Sequence, residues 1–359
     1  MASVTLREGL RGRTLPGLWA VFLAALLAAA AGSDSPEDRL RGVLSAAGGA
    51  CHFLLVLSGI VLGALALRRE QASRVLLQAL SKPLGRGTWL MGKLAGLLLL
   101  LGILAGAFAA TASAAVALLP GAGGLKVLRV PRQALSGCGA VWRFARPGGP
   151  ARLEALLAVS ESPGTLEAEV SGRRVPLEIN ARGEAQAPLP EALPAGDLTV
   201  RLRLPADIPR DAVRLRILED SGAYPSLLAR AALGDWALAG VLCAAALAGS
   251  TVLSGPVALF LALGLAVASH GHPLLCDLET LLANRAAHSG SPPPAAVRIL
   301  EALRAATPDA ERADLCGFLD LCEEPPPGAL GKAARAVLPY GAAAALLGLL
   351  GMRRLEPGA

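Results

Sequence analysis

The chain has 359 residues, 53% of them hydrophobic, 17% charged and 3% aromatic, with a formal net charge of +6. That balance excludes a disordered chain and argues for an integral membrane protein carrying polar inserts. Nucleic-acid binding is excluded as well, because no basic tract is interleaved with aromatic residues.

Residues 1–15 carry Arg7, Arg11 and Arg13 ahead of an apolar run, Pro16 to Ala31. A cleavable signal peptide has this layout, with AAAAGS at 28–33 as a cleavage region. TLREGLRGR, reading as a short amphipathic lead-in, favours a retained first span over that alternative. Ser33 to Ala47 reads as an external loop. Two charge-free runs follow, Gly48 to Leu67 and Leu94 to Leu119. Each is long enough to cross about 30 Å of hydrocarbon as a helix. Gly59 and Gly63, and again Gly102 and Gly106, have the small-xxx-small spacing that lets helices approach closely in lipid.

Between those runs lies a polar island, Arg68 to Lys93. It holds six basic residues, Arg68, Arg69, Arg74, Lys82, Arg86 and Lys93, against one acidic residue, Glu70. Positive charge collects in cytoplasmic loops, which places the island inside the cell. Ala72, Leu76, Ala79 and Leu80 share one helical face. Pro83, lacking an amide hydrogen, ends that helix. Gly85 and Gly87 make the turn, and Trp89 marks re-entry into the membrane interface. The residues alone fit either an amphipathic loop lying on the headgroups or a docking helix for a cytoplasmic partner.

From about Leu125 to Ile217 the apolar period changes from 3.6 to 2. Leu166, Ala168 and Val170 alternate with Glu167 and Glu169; Leu198, Val200, Leu202 and Leu204 alternate with Thr199, Arg201 and Arg203. Val213, Leu215 and Ile217 continue the pattern around Arg214 and Arg216. These read as strands with one wet face, and Ser171-Gly172-Arg173 suggests a hairpin. The expected product is a β-sandwich-like domain inserted after an outward-running span.

Trp236 to Leu253 and Pro256 to Ser269 read as a tight pair of spans joined at Ser254-Gly255. Residues 272–333 form a second external segment, in which Val297, Ile299, Leu300 and Leu303 suggest a short amphipathic helix. A last span, about Ala336 to Met352, contains Pro339 and ends at Arg353 and Arg354. The expected fold is thus an α-helical integral membrane protein of about six transmembrane helices with an inserted extracytoplasmic β domain. Its parts are residues 1–119 with three spans, 120–232 rich in strands, 233–271 with two spans, 272–335 helical and Pro-rich, and 336–359 with the last span. Both termini fall in the cytoplasm.

Cys51 and Cys243 lie in spans and read as small core hydrophobes. Cys138, Cys276, Cys316 and Cys322 fall in segments expected outside, where one or two disulfides can form; four cysteines allow three pairings. Gly87 to Lys93 satisfies G-x-x-x-x-G-K, but Leu94 stands where the magnesium-binding Ser or Thr belongs and no strand precedes it. It is not a phosphate-binding loop. His270 and His272 with Cys276 are weak metal candidates whose spacing matches no established site. The helix ends in a turn there and Cys276 is a disulfide candidate, so neither metal nor cofactor is expected. On the expected boundaries no Asp, Glu, Lys or Arg lies within the span cores, which argues against ion-coupled carriers. No nucleophile–base pairing marks a hydrolase.

Glu70, Ala72-Ser73, Leu76-Leu77, Ser81-Lys82-Pro83, Arg86 and Gly92-Lys93 together resemble the corresponding loop of type-2 ABC transporter permeases, which usually have Gly-Thr in place of Ala72-Ser73. Ser250 to Ala258 resembles permeases grouped with multi-copper-enzyme maturation. The resemblance covers the spans and the loop, and says little about residues 127–232 or 272–333. It implies a bacterial inner-membrane permease, most relatives of which export, working as a dimer with a separate ATPase subunit and binding no nucleotide itself. It also implies coupling through the island: Glu70 and Arg74 as polar docking contacts, Leu76 and Leu77 on the docking helix, Pro83 and Arg86 fixing the turn, and Gly92-Lys93 opening the span with Lys93 at the headgroups. The competing reading is a membrane-anchored extracytoplasmic binding or scaffold protein that transports nothing.

Overall fold

The computed structural model describes residues 5, 14–32, 36–72, 85–119, 129–132, 136–138, 141–144, 151–157, 165–179, 184–189, 198–203, 213–220, 224–289, 295–320, 325 and 328–354. The chain divides into a helical unit, residues 1–122, 225–320 and 327–359, and a sheet unit, residues 123–224 with 321–326.

The helical unit comprises α1 (Thr14–Ala31), α2 (Pro36–Ala72), α3 (Arg86–Leu118), α4 (Tyr224–Ser250), α5 (Gly255–His270), α6 (His272–Ser289), α7 (Ala295–Ala306), α8 (Ala310–Ala313), α9 (Cys316–Asp320) and α10 (Ala329–Arg354). Among the described residues, four stretches are long and apolar enough to cross a membrane: Arg39–Leu67, Gly87–Leu118, Tyr224–Ser250 and Ala329–Met352. The pair α5 and α6, bent by 64° at Gly271, adds a fifth if it is one broken span. The first apolar run forms a shorter helix, Pro16–Ala31. The unit is therefore that of a membrane-embedded helical protein, with four or five long spans where the sequence suggested six.

The helix boundaries differ from expectation in a consistent way. Most of the expected external loop at 33–47 is already helix, because α2 starts at Pro36 and runs 37 residues without a break. The same helix carries Arg68 to Ala72 out of the span, and Arg86 to Lys93 begins α3. Polar residues extend these helices past the apolar runs because a helix satisfies its own backbone hydrogen bonds whatever its side chains. Residues 73–84, with Arg74, Leu76, Leu77 and Pro83, lie outside the described residues. So do the side chains of Glu70 and Arg86.

α2 is the central helix and packs against α1, α3, α5 and α9. Its contact with α4 is made by glycine. A Cβ on Gly59 would sit 2.5 Å from the Ala239 carbonyl oxygen, and one on Gly63 2.5 Å from that of Cys243. The small-xxx-small spacing is here a working seam, since any side chain would force the two backbones apart. Gly102 instead faces the Trp236 ring, whose Nε1 donates to the Leu98 carbonyl at 2.9 Å, and Gly106 meets nothing. Phe22 of α1 stacks on Phe108 of α3 with ring centroids 4.4 Å apart.

In the sheet unit, β1 (Arg129–Arg132), β2 (Ser136–Cys138), β3 (Val141–Phe144), β4 (Ala151–Leu157), β5 (Thr165–Val170), β6 (Arg173–Ile179), β7 (Glu184–Pro188), β8 (Leu198–Arg203) and β9 (Val213–Asp220) join one sheet. Its order is β1-β9-β4-β7-β6-β5-β8-β3-β2, and the neighbours pair antiparallel. The alternation seen in the sequence is the pleat itself: Ala168, Val170, Leu198, Val200, Leu202, Leu215 and Ile217 are buried in one cluster with Leu153 and Leu177. On the other face Glu169 stands opposite Arg174 and Arg201 in the ladders. Such opposite-charge pairs favour this register. The β5–β6 hairpin closes through Ser171 and Gly172 with φ of 48° and 87°. Positive φ at both turn positions matches the right-handed twist of the strands.

Candidate functional site: a buried histidine, aspartate and cysteine cluster

Asp235, in α4, is 1% exposed, and its Oδ1 lies 2.7 Å from Nδ1 of His52 in α2. Both residues fall inside stretches that qualify as spans. This corrects the expectation that the span cores carry no ionisable group. The fourth span starts at Tyr224, not at Trp236, because Leu227 to Gly234, Arg230 apart, is apolar enough to continue the helix. Asp235 is enclosed by it.

Two glycines bring a third segment onto this pair. A Cβ on Gly48, one helical turn before His52, would lie 3.1 Å from the Cys316 Cβ. A Cβ on Gly234 would lie 2.6 Å from the Ala313 carbonyl oxygen. The chain between α8 and α9 can therefore press against α2 and α4. Its Cys316 Sγ donates to Asp235 Oδ2 at 3.5 Å. Asp314 Oδ1 accepts from the Cys316 amide at 2.7 Å, which fixes the Asp314 carboxylate beside the thiol. Burial, followed by the nearby Asp235 and Asp314 carboxylates, pushes the Cys316 thiol up and keeps it neutral.

Donor atoms of His52, Asp235, Asp314 and Cys316 all lie within 4.8 Å of one another. On the far side of the imidazole, His52 Nε2 is 2.7 Å from His270 Nε2, and His270 Nδ1 is 2.8 Å from the Ala266 carbonyl oxygen. The tautomers follow from this chain. A carbonyl only accepts, so His270 carries its proton on Nδ1 and accepts on Nε2. His52 must then donate from Nε2, and its Nδ1 is the nitrogen turned toward Asp235.

The sequence candidates are redistributed by this geometry. His270 stays exposed and meets His52 from its outer side. His272 and Cys276 form a separate patch, with His272 Nδ1 3.8 Å from Cys276 Sγ and 3.9 Å from Asp309 Oδ2. Arg304 Nη1 reaches the same sulfur at 3.9 Å and Glu279 at 3.0 Å. Cys276 and Cys316 are both free thiols, so neither makes the disulfide expected of it. The Cys316 sulfur is held against Asp235 instead. The side chain of Cys138 and all of Cys322 lie outside the described residues. Lys93 is 4% exposed, with its Nζ 5.7 Å from the Trp89 ring centroid. Sequence reasoning missed His52, Asp235 and Asp314 as a group. The available signal was an Asp flanked on both sides by apolar residues, Leu233-Gly234 and Trp236-Ala237-Leu238.

No known protein family and no curated protein matches this chain. The site's chemistry therefore rests on its own residues.

Proposed function

We propose that this chain is the membrane-embedded subunit of a transporter, a permease of the type-2 ABC kind driven by a separate ATPase. The observation that carries transport over passive anchoring is the His52–Asp235 pair buried between spans; because such a pair also suits an ion-coupled carrier, drive by an ATPase rests on the resemblance of the loop alone. An ionisable residue inside a membrane bundle is costly, and a mere anchor has no use for it. The island from Arg68 to Lys93 supplies the coupling element, on the resemblance of its residues. Dimerisation, export and a role in multi-copper-enzyme maturation belong to that resemblance and go with it.

The competing reading, a membrane-anchored display protein, draws on the sheet unit, which has a buried core of its own. The decisive experiment is purification of the tagged full-length chain from its native membranes. The permease reading expects a co-purifying subunit that carries ATP-binding motifs and hydrolyses ATP. It also expects loss of that subunit when Arg69 and Arg74 are both changed to Glu. A chain that purifies without any ATPase, or a double variant that keeps it, would sink the proposal.

A further inference from the structure

We propose that His52, Asp235, Asp314 and Cys316 bind a divalent transition-metal ion of the zinc class. This goes beyond the transport reading and stands without it.

The donor set selects the ion. Imidazole and thiolate exclude magnesium and calcium, which take oxygen ligands. Two carboxylates disfavour copper(I), which seeks soft sulfur donors. One nitrogen, one sulfur and two oxygens suit zinc, a borderline-soft ion bound tetrahedrally.

The spacing agrees. With zinc bonds of about 2.0–2.3 Å, two ligands on one tetrahedral ion lie roughly 3.3–3.6 Å apart. Cys316 Sγ and Asp235 Oδ2 are already 3.5 Å apart, and the whole set is within 4.8 Å. Only a side-chain adjustment separates this arrangement from a coordination sphere.

The surroundings of the ligands are also those of a metal site. Metal-bound histidines usually donate the other ring N–H to a partner that sets tautomer and orientation. His270 does this for His52, leaving the Nδ1 lone pair facing the cluster. The Cys316 amide does the equivalent for Asp314 by holding Oδ1. Phe22, Phe108, Ala112, Cys51 and Asp235 line one small cleft, so the Asp235 carboxylate borders open space.

Binding exchanges protons for the ion. The Cys316 S–H bond breaks and a sulfur–metal bond forms. The thiol proton and the proton shared by His52 and Asp235 pass to water. No oxidation state changes.

The test uses the full-length chain in detergent, reduced, stripped of metal and titrated with cobalt(II). One cobalt per chain is expected, with the d–d bands of tetrahedral geometry and a thiolate-to-cobalt absorption that zinc abolishes. Cys316→Ser should lose the thiolate absorption, and Asp235→Asn should weaken binding at least about tenfold. His270→Ala, outside the ligand set, should keep the absorption while weakening binding about 10–100-fold. Cys276→Ser should bind as the parent does. Circular dichroism and gel filtration confirm the fold of each variant, and His270→Ala keeps the test open if a ligand variant misfolds. The proposal fails if the parent shows no thiolate absorption, or if that absorption survives in Cys316→Ser. It also fails if Cys276→Ser abolishes it, since the ion would then belong to the patch around His272.

Discussion

Replacing Gly59 or Gly63 with Ala tests the α2–α4 seam directly. Each new Cβ would lie 2.5 Å from a carbonyl oxygen of α4, and at Gly63 also 2.9 Å from the Ala246 Cβ. An ordinary contact needs about 3.4 Å, so the helices must part by roughly 0.9 Å. Forcing an extra methyl into a packed interface costs about 1–3 kcal/mol. Against that, Ala in a helix gains up to about 1 kcal/mol over Gly. Gly106→Ala isolates the gain, because a Cβ there meets nothing within 4 Å. The helix-propensity gain is common to all three variants and cancels in the comparison. Gly59→Ala and Gly63→Ala should therefore each be about 1–3 kcal/mol less stable than Gly106→Ala. Denaturant titration of the detergent-solubilised chain, followed by loss of helical signal, measures the gap. Equal stabilities for Gly59→Ala, Gly63→Ala and Gly106→Ala would refute a seam of glycines against carbonyls.

Two further outcomes follow from burial and backbone geometry. Cys316 is 8% exposed and its thiol is held neutral, whereas Cys276 is half-buried, so a maleimide at neutral pH should modify Cys276 well ahead of Cys316. Raising the pH within the mild alkaline range should do little for Cys316, since its thiolate remains disfavoured there; peptide mass spectrometry reads both rates. Gly172→Ala places a Cβ at φ of 87° and should destabilise the sheet unit by about 1–2 kcal/mol, seen as faster proteolysis of that unit in the full chain.

Much of the architecture is written in local patterns. The charge-free runs became spans, and the period-two alternation of Leu198, Val200 and Leu202 became a strand with one buried face. Ser171-Gly172 became a two-residue hairpin turn, because few residue pairs accept positive φ twice. These features depend on neighbours in the chain, and a short window of sequence contains those neighbours. The break at Gly271 was legible as a helix end, but the second helix starting at His272 was not.

What folding decided is where polar side chains go. His52, Asp235, Cys316 and His270 are scattered across more than two hundred residues, and no spacing rule relates them. Cys316 looked like a disulfide partner because its segment is polar. It is a free thiol against a carboxylate because Gly48 and Gly234 leave room for that segment between α2 and α4. Hydrophobic periodicity fixes which face of a helix is buried, whereas only the packing of several helices fixes which atoms meet there.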